Sequence, residues 1–154
     1  MQTKYELTLD KPILILGIGN LLMGDEGAGV HVVRYLDKNY DLKNADIVDG
    51  GTGGFHLLEY FHRYPRVILV DATMDGKPPG TVQLLKPKFS GDYPPTLTAH
   101  DIGLKNLLDA LQLTNHQPDV WLYTISIARL DKVTLKLSAE IEKAIPKAAR
   151  QIVE

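Results

Sequence analysis

Along the chain, short unbroken apolar runs closed by glycine or polar residues alternate with stretches whose apolar residues recur at helical spacing. Ile13-Leu-Ile-Leu16 is such a run, ended by Gly17, and it reads as a strand buried on both faces. Ala45-Asp-Ile-Val48, Arg66-Val-Ile-Leu-Val70, Thr81-Val-Gln-Leu-Leu85 and Asp119-Val-Trp-Leu-Tyr-Thr-Ile-Ser-Ile127 read as further strands, the Thr81 segment at a sheet edge. A helix is predicted from about Asp25 to Leu36, on the stripe Val30, Val33 and Leu36, and a short one from Phe55 to His62. Behind a Thr98 cap, Leu104, Leu107, Leu108 and Leu111 fall at i, i+3, i+4 and i+7. Ser138 is placed to cap a final helix that buries Ile141, Ala144, Ile145, Ala148 and Ile152, with Pro146 expected to kink it. The order implies an α/β fold, a three-layer sandwich whose five-stranded, mostly parallel twisted sheet is flanked by helices.

Residues 1–154 read as one domain, since 154 residues with 44% hydrophobic content bury a core without staples. The stretch from Lys86 to Pro95 holds Pro87, Gly91, Pro94 and Pro95 and is a loop within that domain. Seventeen basic against nineteen acidic residues give a net charge of -2, which offers no electrostatic grip on nucleic acid or an anionic membrane. Cysteine is absent, so disulfides, thiolate metal sites and cysteine nucleophiles are excluded. The polar start, Met1 to Asp10, lacks the apolar core of a signal peptide, and the longest apolar runs are far short of a membrane span. A cytoplasmic protein is expected.

In such sheets ligands gather beyond the C-terminal strand ends, and three segments deliver polar groups there. The first is the glycine-rich Gly17 to Gly29. A dinucleotide fingerprint would require glycine where Leu22 stands, and the turn before the helix is too long. Asp25 is placed to cap the following helix, and Glu26 to gain from its dipole. Gly24, Gly27 and Gly29 admit the close approach of another backbone or a large ligand. A capped helix without a ligand fits this loop as well. The second is Asp71, directly after a buried strand, where a desolvated carboxylate calls for a metal or cationic partner, or caps a turn. The third is His100, in the first turn of the leucine-rich helix, whose N-terminus disfavours protonation and leaves a ring nitrogen to coordinate. Alone, it is more simply a surface histidine.

Together Glu26, Asp71 and His100 offer two oxygens and one imidazole nitrogen, a set that suits a borderline divalent transition metal with positions left open. His56, Glu59 and His62 recur every three residues without the HExxH spacing and read as a polar face. Ser90, Ser126 and Ser138 lie outside any GxSxG elbow, and no Asp-Thr-Gly is present.

The segment Ile15-Leu-Gly-Ile-Gly-Asn-Leu-Leu-Met-Gly-Asp-Glu-Gly-Ala-Gly-Val30 resembles the N-terminal signature of the hydrogenase maturation endopeptidases. Asp49-Gly-Gly-Thr52, Val70-Asp71-Ala72, Thr98-Ala-His100-Asp-Ile-Gly103 and Leu137-Ser-Ala-Glu140 with Pro146 follow in the family's order, so the likeness covers nearly the full chain. It implies a protease that trims the C-terminus of a nickel-iron hydrogenase large-subunit precursor. The family's metal-contacting residues carry over onto Glu26, Asp71 and His100, the trio reached above from position and chemistry. By the same resemblance, nickel already held by the precursor is the recognition element, with other divalent transition metals able to substitute. Hydrolysis then falls to Glu26, to Asp71 or to water on the metal. The glutamine-proline pair common near the end of the family's last strand is replaced here by Tyr123-Thr-Ile-Ser-Ile127, which bears on which large subunit is served. The alternatives are a nickel-checking, chaperone-like module that docks without cutting, a small-molecule metallohydrolase and a dinucleotide binder.

Overall fold

Five strands form one sheet: β1 (Ile13–Gly17), β2 (Ala45–Asp49), β3 (Arg66–Thr73), β4 (Val82–Leu85) and β5 (Asp119–Ser126), in the spatial order β2-β1-β3-β5-β4. β1 pairs in parallel with β2 and β3, and β3 in parallel with β5, while β4 runs antiparallel along the β5 edge. A computed structural model describes residues 12–51, 57–86, 110, 113, 118–128 and 133–153. The predicted leucine-rich helix, its Thr98 cap and nearly all of the Lys86 to Pro95 loop lie outside the described residues.

The described helices are α1 (Ala28–Asn39), α2 (Leu58–Arg63) and α3 (Ala139–Val153). α3 continues through Pro146. The period-two alternation of the strands sends Ile15, Val70, Ala72, Tyr123 and Ile125 to one face, where they pack with Val32, Val33 and Leu36 of α1 and Ile141, Ala148 and Ile152 of α3. Leu14, Leu16, Val67, Leu69 and Leu122 occupy the other face with Leu57 and Phe61, at the start and within α2. Helix, sheet and helix make the expected three layers.

Of the boundaries that differ from the sequence expectation, two lie beside the strand ends. α1 starts at Ala28 because Gly24–Gly27 winds into a 3-10 helix instead, with Gly24 at a left-handed φ of 60° that suits a residue without Cβ. β3 runs on through Thr73, because β5 keeps pairing with it: Asp71 with Thr124, Ala72 with Ile125, Thr73 with Ser126. β1 has already ended, its Gly17 opposite Val70. Among the described residues no helix is long and apolar enough to cross a membrane.

Candidate functional site

From β1 the chain moves to β2 on one side, whereas β3 lies on the other, so the connections diverge at the C-terminal ends of β1 and β3. A crevice at such a switch point is where open α/β sheets take their ligands. Two acidic residues stand on the elements that border it. Glu26 sits in the 3-10 helix that follows β1 and packs against β3. Asp71 is the first residue of β3 beyond its pairing with β1. They are only 2% and 5% exposed. Both make polar interactions with their surroundings, and one Asp71 contact is the Ala72 N–H, which donates to Oδ1 at 2.8 Å.

The glycines of the first loop let its backbone pack tightly against the strand ends. A Cβ on Gly29, in the first turn of α1, would lie 2.2 Å from the Val70 carbonyl oxygen and 2.4 Å from that of Ile18. One on Gly19 would lie 2.6 Å from the carbonyl oxygen of Glu26 itself. At Gly27 the neighbouring atoms belong to Asn20 and Leu21. The room these glycines leave is taken by the chain's own backbone, which is how the start of α1 seats on the strand ends. That packing argues against the dinucleotide alternative, in which a pyrophosphate would need the same space.

Asp25 does something other than cap α1, which begins without a side-chain cap. Its Oδ1 instead accepts the Ser138 N–H at 2.8 Å, 113 residues further along and directly before α3. The same late segment bonds the loop through backbone: Thr134 N–H donates to Leu22 O at 2.7 Å, and Gly24 N–H to Thr134 O at 2.9 Å. Ser138 begins α3 as expected, since its carbonyl accepts the Glu142 N–H at 2.9 Å. On the β2 side, Gly50 N–H donates to Gly17 O and Gly19 N–H to Gly51 O. Glu26 therefore stands on a loop clamped from both flanks.

Sequence reasoning missed the clamp. Its trace was present in Val133-Thr-Leu-Lys-Leu-Ser138, whose apolar and polar residues alternate as in a strand. His31 was missed as well. It lies in α1 near Asp25, and burial followed by the Arg34 charge holds its pKa below the ordinary 6.5, against an opposing pull from Asp25. Of the predicted trio, Glu26 and Asp71 are buried on two elements that pack together, and His100 lies outside the described residues. Among the described residues, no group of three or more histidine, cysteine, aspartate or glutamate side chains could hold a metal. In the alternative cluster His56 is likewise outside them, and Glu59 pairs with Arg63 at 2.8 Å on the surface.

Residues 30–154 match the family model for hydrogenase maturation proteases. The chain belongs to the hydrogenase maturation protease family. The matched span includes Asp71 and the position of His100 but begins after Glu26. A hydrogenase 2 maturation protease of Escherichia coli K12 is 31% identical over 144 residues, covering 92% of this chain and 88% of that protein. The hydrogenase expression/formation protein HupD of Rhizobium leguminosarum bv. viciae is 38% identical over 112 residues, 70% of this chain. The chain spans 54% of that HupD and 58% of the HupD of Bradyrhizobium diazoefficiens, little more than half of each. Among solved structures, the hydrogenase maturating endopeptidase HybD of E. coli superposes with a TM-score of 0.82 at 30% identity, covering 91% of this chain and 88% of that one. The family and fold expected from the sequence are therefore both borne out, and the relatives carry the names of maturation proteases and endopeptidases.

Proposed function

We propose that this member of the maturation protease family is an endopeptidase that removes the C-terminal peptide of a nickel-loaded hydrogenase large-subunit precursor. Family membership supports the reaction class, and one observation carries the site: Glu26 and Asp71, both nearly excluded from water, stand on contacting elements at the switch point of the sheet. Two carboxylates desolvated together favour a cation. With the His100 imidazole they make a donor set fitted to nickel or a similar divalent ion. In this reading the nickel belongs to the substrate, and Glu26, Asp71 and His100 complete its coordination and hold the nearby peptide bond in register.

Cleavage adds water across one peptide bond. The water oxygen joins the carbonyl carbon, the carbon–nitrogen bond breaks, and a proton reaches the leaving amine. Either Glu26 or Asp71 can take the proton from water, as a positioned carboxylate acting as general base. No GxSxG elbow and no cysteine are present to supply an alternative nucleophile. The clamped loop keeps Glu26 from shifting as substrate enters.

The deciding experiment is intact-mass analysis of a nickel-loaded large-subunit precursor from the same source, incubated with this protein. Loss of one defined C-terminal fragment is expected. His100→Ala should abolish that loss while the chain stays folded, and full activity in this variant would remove His100 from the site. An unchanged precursor mass, with nickel occupancy verified and every large subunit of the source tried, would favour a docking module that does not cut.

A further inference from the structure

We propose that Thr124 is a positioning residue for Asp71, donating its hydroxyl proton to the Asp71 carboxylate when substrate is bound. The proposal rests on the assignment of Asp71 made above. Thr124 is the register partner of Asp71 on the adjacent parallel strand, where neighbouring backbones lie about 4.8 Å apart. Paired residues share a face, and on this one the preceding pairs are Val67 with Val120 and Leu69 with Leu122, all apolar. The face turns polar at Asp71 and Thr124. Gln83 of β4 stands opposite Thr124, so a row of three polar residues crosses β4, β5 and β3.

Thr124 is 1% exposed, and its Oγ1 has no hydrogen-bond partner among the described residues. A hydroxyl buried in that state is costly, and valine would fill the same shape without the cost. What sets this hydroxyl apart is its register partner, a carboxylate able to accept it. Thr124 stands directly beside Asp71 in the register, within reach of a rotamer that would aim Oγ1 at the carboxylate, whose Oδ1 takes the Ala72 N–H. A donor from Thr124 would add to the bonds that orient the carboxylate, in the way that outer hydrogen bonds orient groups which ligate a metal.

The test compares Thr124→Val, Thr124→Ser, Thr124→Ala and Ser126→Ala for cleavage of the nickel-loaded precursor, with thermal unfolding in parallel. Thr124→Val is expected to unfold at or above the wild-type temperature yet lose about 10–100-fold in kcat/KM, the usual effect of removing such an outer partner. Thr124→Ser keeps the hydroxyl and should recover most of the activity, whereas Thr124→Ala should not. This Ser/Ala pair decides the matter if the valine variant fails to fold. Ser126, opposite Thr73 one row further out, also carries a buried hydroxyl without a partner among the described residues, and Ser126→Ala should cleave as wild type does. Full activity in Thr124→Val, equal losses in the serine and alanine variants, or an equal loss in Ser126→Ala would each overturn the proposal while leaving the protease reading intact. Wild-type protein that releases no peptide would defeat the protease reading first, and this one with it.

Discussion

Gly29 meets the carbonyl oxygen of Val70 so closely that a methyl group on Gly29 would stand 2.2 Å from it. The contact joins the first turn of α1 to the residue before Asp71, and it sets the separation between the two acidic elements. Gly29→Ala must push α1 away from both β1 and β3, because the Ile18 carbonyl is almost as near. A loss of about 1–3 kcal/mol is expected from such overpacking. Urea unfolding measures it, and an unchanged midpoint would mean that the helix start gives way freely.

Asp71→Asn and Glu26→Gln keep the shape of each side chain and remove one negative charge from the crevice. Outer partners of a metal ligand already cost about 10–100-fold when removed. Either amide variant should therefore lose more than that in precursor cleavage, with little change in melting temperature. Mass spectrometry over a time course gives the rate. A variant that cleaves as fast as wild type would leave its carboxylate a structural role only.

Tyr64 supports the other end of the same sheet face. Its hydroxyl donates to Asp46 Oδ2 at 2.8 Å, and both residues are buried. Burial first, and then the hydrogen bond and charge of Asp46, push the phenol well above its ordinary range. Tyr64→Phe takes one donor from a buried carboxylate and should cost about 1–3 kcal/mol. Chemical denaturation that showed no loss would mean the remaining surroundings of Asp46 suffice.

Asp119 gives a pH dependence of known sign. Burial would raise its pKa, but hydrogen bonds from Trp121 and Lys86 and the charges of Lys86 and Arg66 outweigh it, so the net shift is downward from 3.8. The Trp121 Nε1–H donates to Oδ2 at 2.9 Å, and Lys86 Nζ lies 3.0 Å from Oδ1. A depressed folded-state pKa contributes stability above the unfolded value, and that stability disappears as pH falls below about 4 through the folded value. Melting temperatures of wild type and Asp119→Asn should therefore differ at neutral pH and converge under acid. The gap should narrow in high salt, because the group is partly exposed. A gap that widened toward low pH would contradict the assignment.

The strands were legible because a parallel sheet buries both faces, so runs such as Ile13 to Leu16 and Val67 to Val70 stand out against their polar flanks. The end of β3 was less so. Asp71 and Thr73 look like loop residues by polarity, and only the register with β5 keeps them in the sheet. Asp25 was misassigned for a related reason. Local rules offered it the helix directly after it, whereas its partner, Ser138, is reached only through the tertiary fold. Glu26 and Asp71 were placed at one sheet edge from sequence because each was read at or just beyond the C-terminal end of a strand.

Glu26 lies early in the chain, yet the loop that holds it is tied down by Thr134 and Ser138. During synthesis the acidic loop leaves the ribosome more than a hundred residues before its fastener does. The bonds that hold the loop therefore wait on the segment leading into α3. A chain halted before that point would carry the Glu26 loop without its bonds to Thr134 and Ser138.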